Sequence, residues 1–295
     1  MEKILYIVNP VAGGGKTKEL VPLIESTMKH RNIEYSIVFT TKPKEGTDLA
    51  KEGLNEGYTL IVAVGGDGTV NEVAYGIIET GRGILGILPS GTGNDLARSL
   101  GISLNPKEAL ETILESKTKN IDIGKANDNL FLNISSIGFD AEVVIVTDRI
   151  KTKIKSSISY VIALLITIFR FKCIRVEMEI DGLTIKDNIL LIAVGNGKYY
   201  GGGIKILPMS NVEDGYFHVC TVKKISKLKL LFLLPTIVNG SHINQRKYVN
   251  IYKARNIKVR TMEKSYLNVD GEIEEINGEV IFEMNSSKLR VTAND

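Results

Sequence analysis

The stretch LIVAVGGDGTVNEVAYGII, residues 60–78, decides how the rest of the chain reads. Residues 60–64 are aliphatic throughout, as in a strand buried on both faces, and NEVAYGII (71–78) has helical spacing. GGDGT therefore stands at a strand-to-helix turn. Glycines there let backbone N–H groups approach an anion, and the helix N-terminus adds a favourable dipole, so the turn predicts a phosphate site. Asp67 in its middle would repel phosphates unless it holds a cation or handles a proton. Its structural alternative is an N-cap to the helix.

The same alternation extends outward on both sides. ILYIV (4–8), YSIVF (35–39) and ILGIL (84–88) read as strands; Leu20, Ile24 and Met28 mark a helix face, and PKEALETIL (106–114) reads as a helix with Pro near its start. Strands alternating with helices imply a parallel sheet covered on both faces, with ligand loops past the carboxyl ends of its strands. PSGTGND (89–95) ends the next strand with a Gly-rich turn, a hydroxyl at Thr92, and Asn94 and Asp95 opening a helix. Alone it is an ordinary turn-and-cap sequence. Beside residues 65–72 it becomes half of a nucleotide cradle. NPVAGGGKTKE (9–19) ends like a P-loop, but the position where that motif needs its first Gly is Pro10, which has a fixed φ and no N–H. The P-loop reading is excluded.

Beyond residue 125 the style changes to short β-rich runs: FLNIS, IRVEMEI, ILLIAV, YFHVCTV, NIKVR, EVIFEM and KLRVT. Their spacing argues for an antiparallel sandwich or barrel, with helical stretches near 158 and 228 as insertions. The expected fold class is α/β: an N-terminal Rossmann-like domain with a parallel sheet (residues 1–125) plus a C-terminal β-rich sandwich domain (126–295), the extreme C-terminus packing back on the first.

With 43% hydrophobic and 24% charged residues the 295-residue chain has an ordinary globular composition. A net charge of +3 without interleaved aromatics in a basic stripe gives no argument for nucleic acid. Cys173 and Cys220 lie in apolar runs and read as buried free thiols, which with the absence of a signal-like leader suggests the cytoplasm. ISYVIALLITIF (158–169) and LKLLFLLPTIV (228–238) are too short to cross a bilayer. Both have basic flanks: Arg149, Lys151, Lys153, Lys155, Arg170 and Lys172 for the first, Lys223, Lys224, Lys227 and Lys229 for the second. Two readings stay open, a core helix with a solvated basic edge and a peripheral contact with anionic lipid.

The blocks NPVAGGGK, GGDGTVNEV, LPSGTGNDLAR, IGFDAEV (137–143), GNGKYYGGGIKILP (195–208), VEDG (212–215) and VDGE (269–272) run in order along nearly the whole chain. Together they resemble the bacterial branch of the diacylglycerol kinase-type lipid kinases, the family that also holds sphingosine and ceramide kinases. The resemblance implies two domains, with ATP and a lipid head group meeting in the cleft, and Mg²⁺ on the phosphates. Carried over by position, it places the nucleotide at Asn9, Thr40, Gly65, Gly66, Asp67, Gly68, Thr69, Val70, Asn71 and Thr92. Lys16 is either near that cleft or a solvated helix-start lysine. The motif's acids are Asp67, Asp270 and Glu272, with Glu272 as the proton acceptor, Asp67 organising metal and phosphates, and Asp270 in support. A solvated β-turn is the structural alternative for VDGE. A further Mg²⁺ site maps to Asn211, Asp214 and the Tyr216 carbonyl, although His218 stands where an acid often follows. His30, His218 and His242 show no ligand spacing and read as structural or surface residues. The competing functions are an NAD kinase-like phosphotransferase, which would share GGDGT, and a regulatory homologue without catalysis.

Overall fold

The computed structural model describes residues 3–115, 117–151 and 158–294. The chain divides into two compact units, Met1–Ile123 with Gly201–Gly203 and Ser286–Asp295, and Gly124–Tyr200 with Ile204–Asn285.

The first unit holds β1 (Ile4–Val8), α1 (Val21–Arg31), β2 (Tyr35–Phe39), α2 (Glu45–Asn55), β3 (Leu60–Gly65), α3 (Asp67–Thr80), β4 (Ile84–Pro89), α4 (Asp95–Ser99) and α5 (Pro106–Leu114). The strands pair in the order β2, β1, β3, β4, all parallel. β1, β3 and β4 are buried at every residue, which is why they read as unbroken aliphatic runs. Register brings their carboxyl ends level. Asn9 N–H donates to the Val64 carbonyl at 3.0 Å, Thr40 N–H to Val8 at 2.9 Å and Ser90 N–H to Gly65 at 2.9 Å. The outer side of β4 is met by Val291, which pairs parallel with Leu85, and Leu289, Val291 and Ala293 are buried.

The second unit is antiparallel. It takes in β5 (Thr118–Ala126, shared with the first), β6 (Asn129–Phe131), β7 (Ile134–Gly138), α6 (Phe139–Lys151), α7 (Ile158–Arg170), β8 (Ile174–Ile180), β9 (Leu183–Gly195) and β10 (Phe217–Lys223). It continues with α8 (Lys227–Asn239), β11 (Val249–Ala254), β12 (Asn256–Thr261), β13 (Ser265–Val269), β14 (Glu272–Ile276) and the first half of β15 (Glu279–Thr292). The strands run β14, β13, β7, β9, β8, β12, β15, with β10 between β9 and β11. β8 alternates as a half-buried strand should: Ile174, Val176, Met178 and Ile180 enter the core while Arg175 and Glu179 face out.

Three differences from the sequence reading stand out. α2 and α6 are additional helices, and the runs EVIFEM and KLRVT belong to one strand, β15. Cys220 is buried, but Cys173 is only partly so. Among the described residues no helix is long and apolar enough to cross a membrane. Lys153 and Lys155 lie outside the described residues.

Candidate active site

In the first unit, glycine-rich loops leave the carboxyl ends of β1, β3 and β4 and lock onto one another. Asn9 Nδ2 donates to Thr69 Oγ1 at 3.0 Å, and Thr17 and Ser90 share a hydroxyl hydrogen bond of 2.8 Å. The β3 and β4 loops meet backbone to backbone: a Cβ on Gly91 would lie 2.4 Å from Gly66 Cα, so only glycine fits. Asn94, the N-cap of α4, closes the second loop by bonding both the N–H and the carbonyl of Gly91 at 2.9 Å.

Gly66, not Asp67, is the N-cap of α3, and Asp67 is its first helical residue. The Asp67 carboxylate instead spans the two loops. Its Oδ1 accepts the N–H of Asp95 at 2.6 Å and of Leu96 at 3.4 Å, capping α4 from outside. Asp95 in turn accepts the N–H groups of Gly202 and Gly203 at 2.9 and 2.7 Å. Those glycines have φ of +90° and +103°, a backbone that favours glycine, and their successive amides converge on the Asp95 carboxylate. Burial pushes the Asp95 carboxyl above the usual range, and the neighbouring Asp67 charge adds to this against the pull of the two amides. Of the other residues expected at the nucleotide, Thr40, Gly65, Thr69 and Val70 are buried, Asn9, Gly66 and Asn71 half-buried, and Gly68 and Thr92 exposed. Lys16 is exposed.

In the second unit, Asp270 and Gly271 form the two-residue turn between β13 and β14, with φ of +47° and +101°, and Glu272 opens β14 opposite Val269. Asp270 is committed to structure: its carboxylate accepts N–H groups of Leu132 (2.7 Å), Asn133 (3.2 Å) and Ile134 (2.9 Å). Glu272 is exposed. Behind the turn lies a buried group that the sequence reading missed. Asp140, in the IGFDAEV block, takes hydrogen bonds on Oδ2 from Ser136 Oγ and from Asn268 Nδ2 (3.2 Å), and Asn268 Oδ1 accepts the Gly271 N–H at 2.9 Å. Burial raises the Asp140 carboxyl. The signal available in the sequence was an acid two residues past the end of β7, in the first turn of α6.

Asn211, Asp214 and Tyr216 share one turn. Asn211 Oδ1 accepts Glu213 N–H and Asp214 Oδ1 accepts Tyr216 N–H, both at 3.1 Å. Asp214 Oδ2 is paired with Lys253 Nζ at 2.9 Å, and that ammonium lies 4.4 Å above the Tyr216 ring with Arg255 at 4.6 Å. His218 faces Lys253 across the β10–β11 ladder. Burial lowers the His218 pKa; Asp214 opposes this and Lys253 reinforces it. Among the described residues no group of three or more His, Cys, Asp or Glu gathers as a metal cluster. His242 is buried and His30 exposed.

Comparison with known proteins agrees with this layout. Residues 3–126 match a family model described as the diacylglycerol kinase catalytic domain, and residues 133–293 one described as the YegS C-terminal NAD kinase beta sandwich-like domain. A curated diacylglycerol kinase of Staphylococcus carnosus is 32% identical over 272 residues, 92% of this chain and 88% of the relative. A solved diacylglycerol kinase structure from Bacillus anthracis superposes with a TM-score of 0.75 at 25% identity, covering 99% of this chain and 97% of that one. An NAD kinase of Archaeoglobus fulgidus solved with ATP shares the fold, with a TM-score of 0.52 at 16% identity over 100% of this chain and 94% of that one. With the motif blocks in order and this identity across almost the full length of a curated relative, the chain belongs to the diacylglycerol kinase family.

Proposed function

We propose that this protein transfers the γ-phosphoryl group of ATP to the hydroxyl of a diacylglycerol-like lipid. The observation that carries the reading is the interlocked set of loops at the carboxyl ends of β1, β3 and β4, bridged by Asp67. Such loops at the N-terminus of α3 suit polyphosphate binding. Asn9, Thr40, residues 65–71 and Thr92 border the nucleotide. The Asp67–Asp95 carboxylate pair, close enough for one charge to raise the other's pKa, is a donor set that suits a hard cation. Mg²⁺ held there would neutralise phosphate charge. Phosphoryl transfer otherwise asks the protein for positioning and one proton acceptor. Glu272 fills that role: as the lipid oxygen bonds to phosphorus and the bond to the ADP oxygen breaks, the hydroxyl proton passes to its carboxylate. Asp270 holds the Glu272 turn through the amides of residues 132–134.

Radiolabelled ATP with diacylglycerol, phosphatidylglycerol, sphingosine and NAD as acceptors tests the reading. Label in diacylglycerol is the expected result; label in NAD would put the chain with NAD kinases, and no transfer to any acceptor would make it a silent homologue. Glu272→Gln tests the base. General-base contributions are on the order of 10² to 10⁴ in rate, so kcat should fall by that much with little change in KM for ATP. Near-normal turnover would remove Glu272 from the mechanism.

A further inference from the structure

We propose that the outer face of α7 and α8 is the surface by which this protein docks on an anionic bilayer. The inference deepens the lipid-acceptor reading and rests on it.

α8 is apolar on both sides. Leu230 is buried and Leu231, Leu234 and Ile237 pack on the core, while Leu228 and Phe232 are 67% and 74% exposed. Those two are four residues apart and so share one face. α7 repeats the arrangement: Ala163 and Ile168 are buried, and Leu165 and Phe169, again four apart, face out. The exposed ends are joined, since Lys227 Nζ donates to the Phe169 carbonyl and lies 5.9 Å from its ring. A helix on the surface of a soluble protein normally turns a polar face outward, and here two adjoining helices do not. Each has 13 residues, about 20 Å of helix, short of the roughly 30 Å of a bilayer core. Such a helix is suited to lie in the interface rather than cross it.

Charge selects the occupant. Residues 149–176 and 216–262 together carry seventeen of the chain's 37 Lys and Arg and none of its 34 Asp and Glu. Arg170, Lys172, Lys224, Lys227, Lys229, Arg246 and Lys247 are exposed in these segments. A second copy docking by the same face would set like charge against like charge. An anionic bilayer offers apolar depth for the Phe and Leu side chains and negative charge for this basic rim.

Sedimentation with vesicles tests this. The full chain should pellet with phosphatidylglycerol-containing vesicles, less so as salt rises, and weakly with pure phosphatidylcholine. Leu228→Glu/Phe232→Glu, at exposed positions that leave melting unchanged, should lower the partition coefficient roughly tenfold or more, and Phe169→Glu on the other helix should act in the same direction. Equal pelleting of variant and wild type, or no pelleting of wild type, would overturn the proposal. So would a wild-type dimer that the double variant turns into a monomer with vesicle partition unchanged. Vesicle binding that the variants weaken, in a protein that phosphorylates no lipid, would keep the docking surface and sink the kinase reading instead.

Discussion

Removing the Asp67 carboxylate takes away two things at once, a negative charge in the nucleotide loops and the acceptor that holds the first amides of α4. Asparagine keeps an acceptor oxygen and loses only the charge. Asp67→Asn should therefore melt close to wild type while KM for ATP rises and kcat falls, whereas Asp67→Ala should in addition lose about 1 kcal/mol of stability, the usual worth of a cap. Equal melting of both variants would show that the cap contributes nothing. Asp140 offers a test by pH. Burial holds its native pKa above the unfolded value near 3.8, so the native state keeps a proton that the unfolded chain has released. Its stabilising effect is complete below that unfolded value and is lost as pH rises through the raised native pKa. Asp140→Asn lacks this slope, and the difference in Tm, variant minus wild type, should grow across that window. Parallel melting curves would exclude Asp140 as the source. At Asp214 the partner is an ammonium, so Lys253→Met should lower Tm, and Asp214→Ala should keep whatever Tm response to Mg²⁺ the wild type shows. A Mg²⁺-dependent rise in Tm that Asp214→Ala abolishes would put a metal at this turn.

At the scale of elements, legibility followed burial. β1, β3 and β4 are buried on both faces and β8 on one, and each stands out as an aliphatic run or a strict alternation. α2, EGTDLAKEGLN, contains two glycines and forms against α3 through tertiary packing, while the V-V-I-V run within α6 carries strand propensity that packing overrides. Spacing also located the site loops, but not the contacts between them. Asp67 and Asp95 are 28 residues apart and Asp95 and Gly202 107, and only the order of strands in the sheet brings such partners together. Gly91→Ala probes this interlock directly. With Gly66 backbone in the way the loops must separate, at a cost of roughly 1–3 kcal/mol, and nucleotide affinity should fall with stability. Unchanged ATP binding in a stably folded Gly91→Ala protein would show that the two loops act independently.

For the whole molecule, the chain order matters as much as the fold. The first unit is assembled from residues up to Ile123, from Gly201–Gly203 and from the segment beginning at Ser286. Ending the chain after Asn285 deletes the buried Leu289, Val291 and Ala293 and uncovers β4. Burying a Leu or Val contributes about 1.5–3 kcal/mol, a large part of typical domain stability. Amides of β1, β3 and β4 should then lose hydrogen-exchange protection while those of β8 and β12 keep it; uniform protection would contradict this account. The pairing of Val291 with Leu85 also sets a timetable for synthesis. The part of the protein that leaves the ribosome first is the last to be finished. At roughly 5–20 residues per second, translating from residue 123 to 291 takes about ten to thirty seconds. For that interval the nascent β4 presents a bare strand edge, open to pairing with a neighbouring chain.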